Sequence, residues 1–454
     1  MNKTRERIKN VLICVLLLSM VYLTYLVWFF DSPFGKLTFA GLFGNEEENY
    51  MIYEGTRSDT ENFGIRPIGV LIRDDAGGRG AIYESGAADS LYRALRDELA
   101  GVVMNMEESV VVTADEWRDA LLSKGVFLDY FGNLPTESLC LWLGRRSGDE
   151  KICARYFMFS VEDKNVLMYT KNSKSGEVRK FVSSYPSDKL LEKISSLTAV
   201  KNASLAIEEK EPEFGILDDE TLIMENRAKL SQVSGSNAFK TFRTETTNAC
   251  LAAFKLRDGN SGTYAEQDGT VVYVADMVIL KISPEGIVTY TDSRDFADET
   301  LGIEVEYEGE APTLAEKTET ARSLASAIIS ALPGRGGLYI EDVTENRDKV
   351  EVTFGRTVNG VPVKMKDTSY FMRVRVENKM VKSAKLNLRY YEATSNTTDI
   401  FSEKIAAAAM GGKNQKGSLR LLYRDSGESV LSPAWYTGQV SGKGGNETDG
   451  MVES

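Results

Sequence analysis

The sequence predicts an α+β fold: an extracytoplasmic region of antiparallel sheets with packed helices, behind one N-terminal transmembrane helix. Three observations lead there. The segment from Val11 to Phe30 carries no charge. Beyond it, strand-like runs come in groups instead of alternating with helices, which is the order of antiparallel sheets. Two capping boxes, Thr113-Ala-Asp-Glu116 and Thr313-Leu-Ala-Glu316, mark helix starts among those strands.

The 20 residues from Val11 to Phe30 span about 30 Å as a helix, the thickness of one hydrocarbon core. Thirteen of them are Leu, Ile, Val or Phe, so insertion is favoured by several kcal/mol at roughly 0.3 to 0.6 kcal/mol each. Lys3, Arg5, Arg7 and Lys9 precede the span and Asp31 follows it, which keeps residues 1–10 in the cytoplasm and sends the rest outside. A cleaved signal peptide would have a shorter apolar core and a small-x-small exit, whereas Tyr25-Leu-Val-Trp-Phe-Phe30 runs on.

The chain holds 54 basic and 67 acidic residues, and without its first ten residues its formal charge is −16. Such a surface does not track a nucleic-acid backbone. Nor does it supply the clustered Lys and Arg that hold a protein flat on an anionic leaflet. A hydrophobic share of 42% and a charged share of 27% are those of a folded protein, and about 400 residues exceed one core.

The expected organisation is a cytoplasmic N-terminus (1–10), the span (11–30), a juxtamembrane linker (31–62), a first domain (63–205), a second (206–310), a third (311–440) and a disordered tail (441–454). In the first, Ile65 to Ile72 reads as a strand, Ser90 to Val103 as a helix with Leu91, Leu95 and Leu99 on one face, and Trp117, Leu121 and Leu122 as the apolar face of a second helix. Gly125 suits the second helix's C-cap. Strand-like runs follow at Ser138–Leu143, Ile152–Val161 and Asn165–Lys171, then a helix at Asp188–Leu197.

The acidic stretch Glu208 to Glu213 reads as the crossing into the second domain. There a helix at Thr246–Lys255 precedes strands at Thr270–Val274, Met277–Ile282 and Gly286–Tyr290, with Pro284-Glu-Gly286 as a turn. The third domain opens on the Thr313 helix and continues with strands at Val350–Arg356, Tyr370–Glu377 and Val381–Tyr391, a turn at Asn359-Gly360, a helix at Asp399–Met410 and a strand at Ser418–Tyr423. The second and third share an order, helix then antiparallel strands, which points to a structural duplication.

Chemistry is scarce. There is no histidine in 454 residues, which removes every Ser-His, Cys-His and His-ligated metal arrangement. No nucleophile elbow, phosphate loop, C-x-x-C pair or calcium loop is present. Gly411 to Ser418 has phosphate-loop composition in the wrong order, and Gly77-Gly-Arg-Gly80 and Gly334-Arg-Gly-Gly337 read as loops. Asp74-Asp75, Asp218-Asp219 and Glu46 to Glu48 are acidic pairs of the kind a two-carboxylate glycosidase uses, and read as solvated loop charges. Trp117 belongs to a helix's apolar face, Trp142 to a strand pattern, and Trp435 to a Pro-bracketed loop where burial is the better reading. Cys140 and Cys153 flank Arg145-Arg-Ser-Gly148: a cross-strand bridge and two reduced, half-buried thiols are both open. No catalytic residue, cofactor or metal is expected.

The basic start Arg5-Glu-Arg-Ile-Lys-Asn-Val-Leu12, the anchor and the three-part α+β order resemble the YycH family, which accompanies the WalK/WalR (YycG/YycF) two-component system of low-GC Gram-positive bacteria. Val358-Asn-Gly-Val-Pro-Val363 and Leu431-Ser-Pro-Ala-Trp435 are similar to the shorter YycI relative, so the third domain is read as YycI- or PepSY-like. The resemblance implies a non-enzymatic accessory protein whose partners are a WalK-like sensor histidine kinase and a YycI-like membrane protein, with lipid around residues 11–30 and no nucleic acid. Asn10, Cys14, Leu17, Val21, Thr24 and Trp28 form a heptad-like row, rich in small and polar residues that favour helix–helix contact in lipid. Alternatives are an outer-surface module for wall material or a protease, and a wall-active carboxylate hydrolase.

Overall fold

In this computed structural model, residues 65–452 are described, apart from 146–149, 226–228, 257–261, 296–300, 333–335, 366–369, 410–416, 428 and 439–449. The span, the linker and the row from Asn10 to Trp28 lie outside the described residues. So do Glu46 to Glu48 and most of Gly411 to Ser418. Among the described residues no helix is long and apolar enough to cross a membrane.

The first sheet grows from the hairpin of β1 (Gly69–Asp74) and β2 (Gly77–Ile82). Then come α1 (Ser85–Met104), β3 (Val110–Val112), α2 (Ala114–Leu122), β4 (Gly125–Pro135), α3 (Thr136–Trp142), β5 (Cys153–Glu162), β6 (Asn165–Lys171), β7 (Val178–Ser183), α4 (Ser187–Ser196), β8 (Lys201–Leu205) and β9 (Leu222–Met224). Nine strands lie in the order β3-β7-β6-β5-β4-β1-β2-β8-β9, all antiparallel. The expected face of α1 is buried, with Leu91, Leu95 and Leu99 at 4% exposure or less. Thr113 caps α2 by accepting from the Glu116 N–H at 3.2 Å.

Four expectations are corrected here. Ser138–Leu143 is not a strand: it lies mostly in α3, because a short apolar run fits either period and the turn after Pro135 selects the helix. Trp142 is therefore helical. Gly125 opens β4 at φ 148 while Ser123 caps α2; a Cβ there would meet the Phe159 carbonyl at 1.9 Å. Gly77 to Gly80 is strand β2, not a loop. A Cβ on Gly78 would stand 2.3 Å from the Ala203 carbonyl oxygen, so small residues admit β8.

A second group follows: β10 (Leu230–Asn237), α5 (Ala238–Thr241), α6 (Arg243–Ala253), β11 (Gly262–Ala265), β12 (Val271–Ala275), β13 (Val278–Ile282) and β14 (Ile287–Asp292). Gly286, at φ 84, makes the turn before β14. The rest is α7 (Leu314–Ala331), β15 (Gly337–Asn346), β16 (Lys349–Val358), β17 (Val361–Met365), β18 (Met372–Glu377), β19 (Met380–Asn387), β20 (Arg389–Thr398), α8 (Glu403–Ala409), β21 (Ser418–Asp425), β22 (Val430–Leu431), β23 (Pro433–Gly438) and β24 (Gly450–Val452). The Thr313 capping box forms in full, with the Thr313 N–H donating to Glu316 Oε2 at 2.7 Å.

Twelve of these strands make one sheet, β11-β12-β13-β14-β19-β18-β16-β17-β21-β23-β24 with β15 on β16. Its pairs are antiparallel except β17 with β21. Because β14 pairs with β19, the sheet runs across residue 310. The expected single strand Val381–Tyr391 is two: the chain leaves the large sheet at Leu388 and β20 joins β10 and β22 in a three-stranded sheet. Val430–Leu431 and Pro433–Gly438 are strands where a loop was expected, and Trp435 is 3% exposed on β23. In the expected tail, Gly450–Val452 pairs with β23.

The three described cysteines are free thiols. Cys140 sits on α3 and Cys153 opens β5 opposite Pro135, so they are not cross-strand partners. The described residues fall in one compact unit.

Candidate functional site: a charged aromatic seam

The feature that local sequence rules explain least is the seam where the first sheet meets the large one. Strand β4 pairs with β5 up to Asp129 and resumes at Leu134, leaving Tyr130–Asn133 as a bulge. Strand β15 slips register on β16 between Ile340 and Asp342. The two irregularities face each other. A Cβ on Gly132 would lie 2.3 Å from the Ile340 carbonyl oxygen and 2.4 Å from that of Glu341, so backbone rests directly on backbone.

Phe131 adopts φ 71 in that bulge, a left-handed conformation costly for an aromatic residue and held only where surroundings over-determine it. The surroundings are specific. Its N–H donates to Asp129 Oδ1 at 2.7 Å, and its ring meets Tyr339 edge-on at 5.3 Å. The guanidinium groups of Arg155 and Arg420 lie 5.4 and 5.1 Å from its centroid, within cation–π range. Tyr83 is a second strained residue, at φ 60. Its hydroxyl accepts from the Leu421 N–H at 3.2 Å and its ring stands edge-on to Trp435 at 6.2 Å.

Arg155 grips Asp129 with two hydrogen bonds, Nε to Oδ1 at 2.7 Å and Nη2 to Oδ2 at 2.8 Å. Both side chains are at most 7% exposed. Burial alone would lower the Arg155 pKa, but the Asp129 charge and hydrogen bonds outweigh it and hold the guanidinium above its ordinary value. Nearby, Glu220 accepts from Trp117 Nε1 at 2.6 Å and from Lys171. Asp218 is raised by burial and by the neighbouring Glu220, against the pull of Arg155, Lys171 and Arg420.

Several acidic residues read as solvated are thereby corrected. Asp218 and Asp219 are half-buried, with Asp219 accepting from Arg118 Nε at 2.8 Å, and Asp74 pairs with Arg79 at 2.6 Å. Among the described ones Asp75 is solvated as read, 90% exposed beside Lys124. The stretch Glu208 to Glu213 is also tied down: Glu208 pairs with Arg73, Glu209 accepts from Ser204, and Glu211 pairs with Lys404.

Further ties cross the seam. Trp142 Nε1 donates to Glu319 on α7 at 2.8 Å, while Arg322 holds the same carboxylate. Lys151 and Lys174 pair with Glu345 and Asp342 on β15, each at 2.7 Å. Gly360, at φ 85, lets the β16–β17 turn press on Ser85, whose nitrogen a Cβ would meet at 2.5 Å.

Chemically, this arrangement ties the two sheets together through ion pairs and ring contacts. Its carboxylates serve cations and indole N–H groups, and burial pushes all three described thiols above their ordinary pKa. Among the described residues no three His, Cys, Asp or Glu side chains gather as a metal site. Asn10, Cys14, Leu17, Val21, Thr24 and Trp28, the sequence-derived contact row, lie outside the described residues.

Fold and seam together define a class: an antiparallel α+β body whose sheets are clamped by buried ion pairs and strained aromatic residues. No protein-family model matches the chain, and no curated protein matches it. Among solved structures it is similar to YycH from Bacillus subtilis, at 12% identity and a TM-score of 0.49, covering 83% of this chain and 94% of that one. It is also similar to an uncharacterized protein from Eubacterium rectale, at 13% identity and a TM-score of 0.28, over 50% of this chain and 82% of that one. The first of these structures bears the name of the family that the sequence resembles.

Proposed function

We propose that this protein is a membrane-anchored, non-enzymatic regulator that modulates a sensor histidine kinase of a cell-wall-homeostasis two-component system. It lies in the cell membrane, N-terminus inside and residues 31–454 outside, and works through its anchor and its outer domains. The observation that carries this reading is the pairing of one uncharged 20-residue span, bearing a small and polar row, with a large body to which the YycH resemblance attaches. A helix packed beside a kinase's own biases its signalling equilibrium when it binds the two states with different free energy. A mere tether needs only apolar length. The YycI-like partner belongs to the same reading.

The test replaces Asn10, Cys14 and Thr24 by Leu, which leaves insertion intact and weakens helix association by ~1 to 2 kcal/mol in total. Kinase-dependent transcription should change at constant protein level, in this variant and with an unrelated anchor. If both signal like the parent, the span is only a tether. Protease added to intact protoplasts should remove the outer mass; full protection would reverse the topology.

A further inference from the structure

Where the chain leaves the large sheet at Leu388, the backbones of β19 and β20 diverge toward different neighbours and open a cleft of about 450 Å³. That is the size of a small-ligand site. Asn387 and Arg389 flank the switch and line it, with Lys240, Glu285, Lys385 and Asp425 around them.

Asn387 is the telling residue. It is 8% exposed at the end of β19, on the face opposite that of its neighbour Leu386. Its buried Oδ1 has no hydrogen-bond partner, a costly arrangement unless a donor arrives from outside the chain. The charges around it are uneven. Asp425 is engaged by Arg389 and by the Tyr391 hydroxyl. Among the described residues the exposed Lys240, Lys385 and Glu285 form no ion pair, which leaves one net positive charge in the cleft.

We propose that this cleft binds the carboxy-terminal end of a peptide. The carboxylate sits against Lys240 and Lys385, and the last amide N–H donates to Asn387 Oδ1. One negative charge and one donor close beside it are what the cleft lacks. Neither the kinase partnership nor the anchor enters into this assignment.

The test uses the full chain in detergent micelles and a fluorescein-labelled Gly-Ala-Ala peptide, with a free carboxylate or as the C-terminal amide, followed by anisotropy. The acid should bind at least about tenfold more tightly than the amide. Lys240→Met with Lys385→Met, both at exposed positions, should erase that preference without changing the melting temperature. Asn387→Leu should weaken acid and amide alike while leaving the protein folded, a result that a purely structural Asn would not give. Absence of binding, equal binding of acid and amide, or undiminished preference in the double variant overturns the proposal. Displacement by acetate as effective as by the unlabelled acid overturns the peptide assignment in favour of a simple anion site.

Discussion

Gly132→Ala is the sharpest perturbation of the seam. The added Cβ would lie 2.3 Å from one carbonyl oxygen and 2.4 Å from another, roughly 1 Å inside ordinary contact with each, and neither oxygen belongs to a side chain that can swing away. Strands β4 and β15 must separate by about that distance. Doing so strains the bulge that holds Phe131 against Tyr339, so the cost belongs at the upper end of overpacking, about 3 kcal/mol or more. For a cooperative unit of a few hundred residues this is ~3 to 6 °C in melting temperature. Gly215→Ala is the control, since nothing lies within 4 Å of its Cβ position; it should be neutral or slightly stabilising. The assay is differential scanning calorimetry of both variants beside the parent. A Gly132→Ala protein melting within 1 °C of the parent would refute the backbone-on-backbone reading.

Asp218→Asn should be at least as stable as the parent at pH 7. The raised pKa means that the folded state holds this proton more tightly, so parental stability falls as pH rises from 3.8 through the folded value; urea melts across that window should show a shallower fall in the variant, and a steeper one would contradict it. Arg356 is 1% exposed, lies 5.5 Å from the Phe371 and Tyr391 ring centroids, and has its pKa lowered to about 10 by burial. That depression from 12.5 corresponds to about 3 kcal/mol, while Arg356→Met gives up one hydrogen bond, to the Arg389 carbonyl, and two ring contacts worth roughly the same. Its melting temperature should therefore stay level or rise, and a fall of more than about 4 °C would show that the buried charge is a net support. Burial puts the Cys153 and Cys250 thiols at about 12 and Cys140 higher still, so iodoacetamide at pH 8 should label none of the three within minutes until denaturant is added, as read by peptide mass spectrometry.

Much of the fold was legible because its signals are local. Thr113 and Thr313 announce their helices through side chain to backbone geometry, and Pro284-Glu-Gly286 announces a turn through φ preference. Ser138–Leu143 misled because an apolar stretch shorter than two helical turns satisfies either period. The break at Leu388 has no local mark: its cause is that β14 and β10, far apart in sequence, draw adjacent residues to different sheets.

The seam left a faint signal. Asp129 and Arg155 each interrupt an apolar run, Phe127-Leu-Asp-Tyr130 and Ala154-Arg-Tyr-Phe157, and a lone charge inside a buried strand calls for an opposite partner. Sequence could flag the pair but not the bulge it braces, since register is set by strands that meet only in three dimensions.

The reach of Tyr83 to Leu421 and Trp435 also governs the order of assembly. Residues that touch across some 340 positions must wait for nearly the whole chain, and contacts of such long range slow folding because the loop must close before they repay it. Until β21 and β23 arrive, Tyr83 lacks its contacts with Leu421 and Trp435, and the first sheet presents an unfinished flank. A chain truncated before Ser418, which lacks both β21 and β23, should therefore be cleared or aggregate as an incomplete intermediate instead of persisting as a smaller native protein.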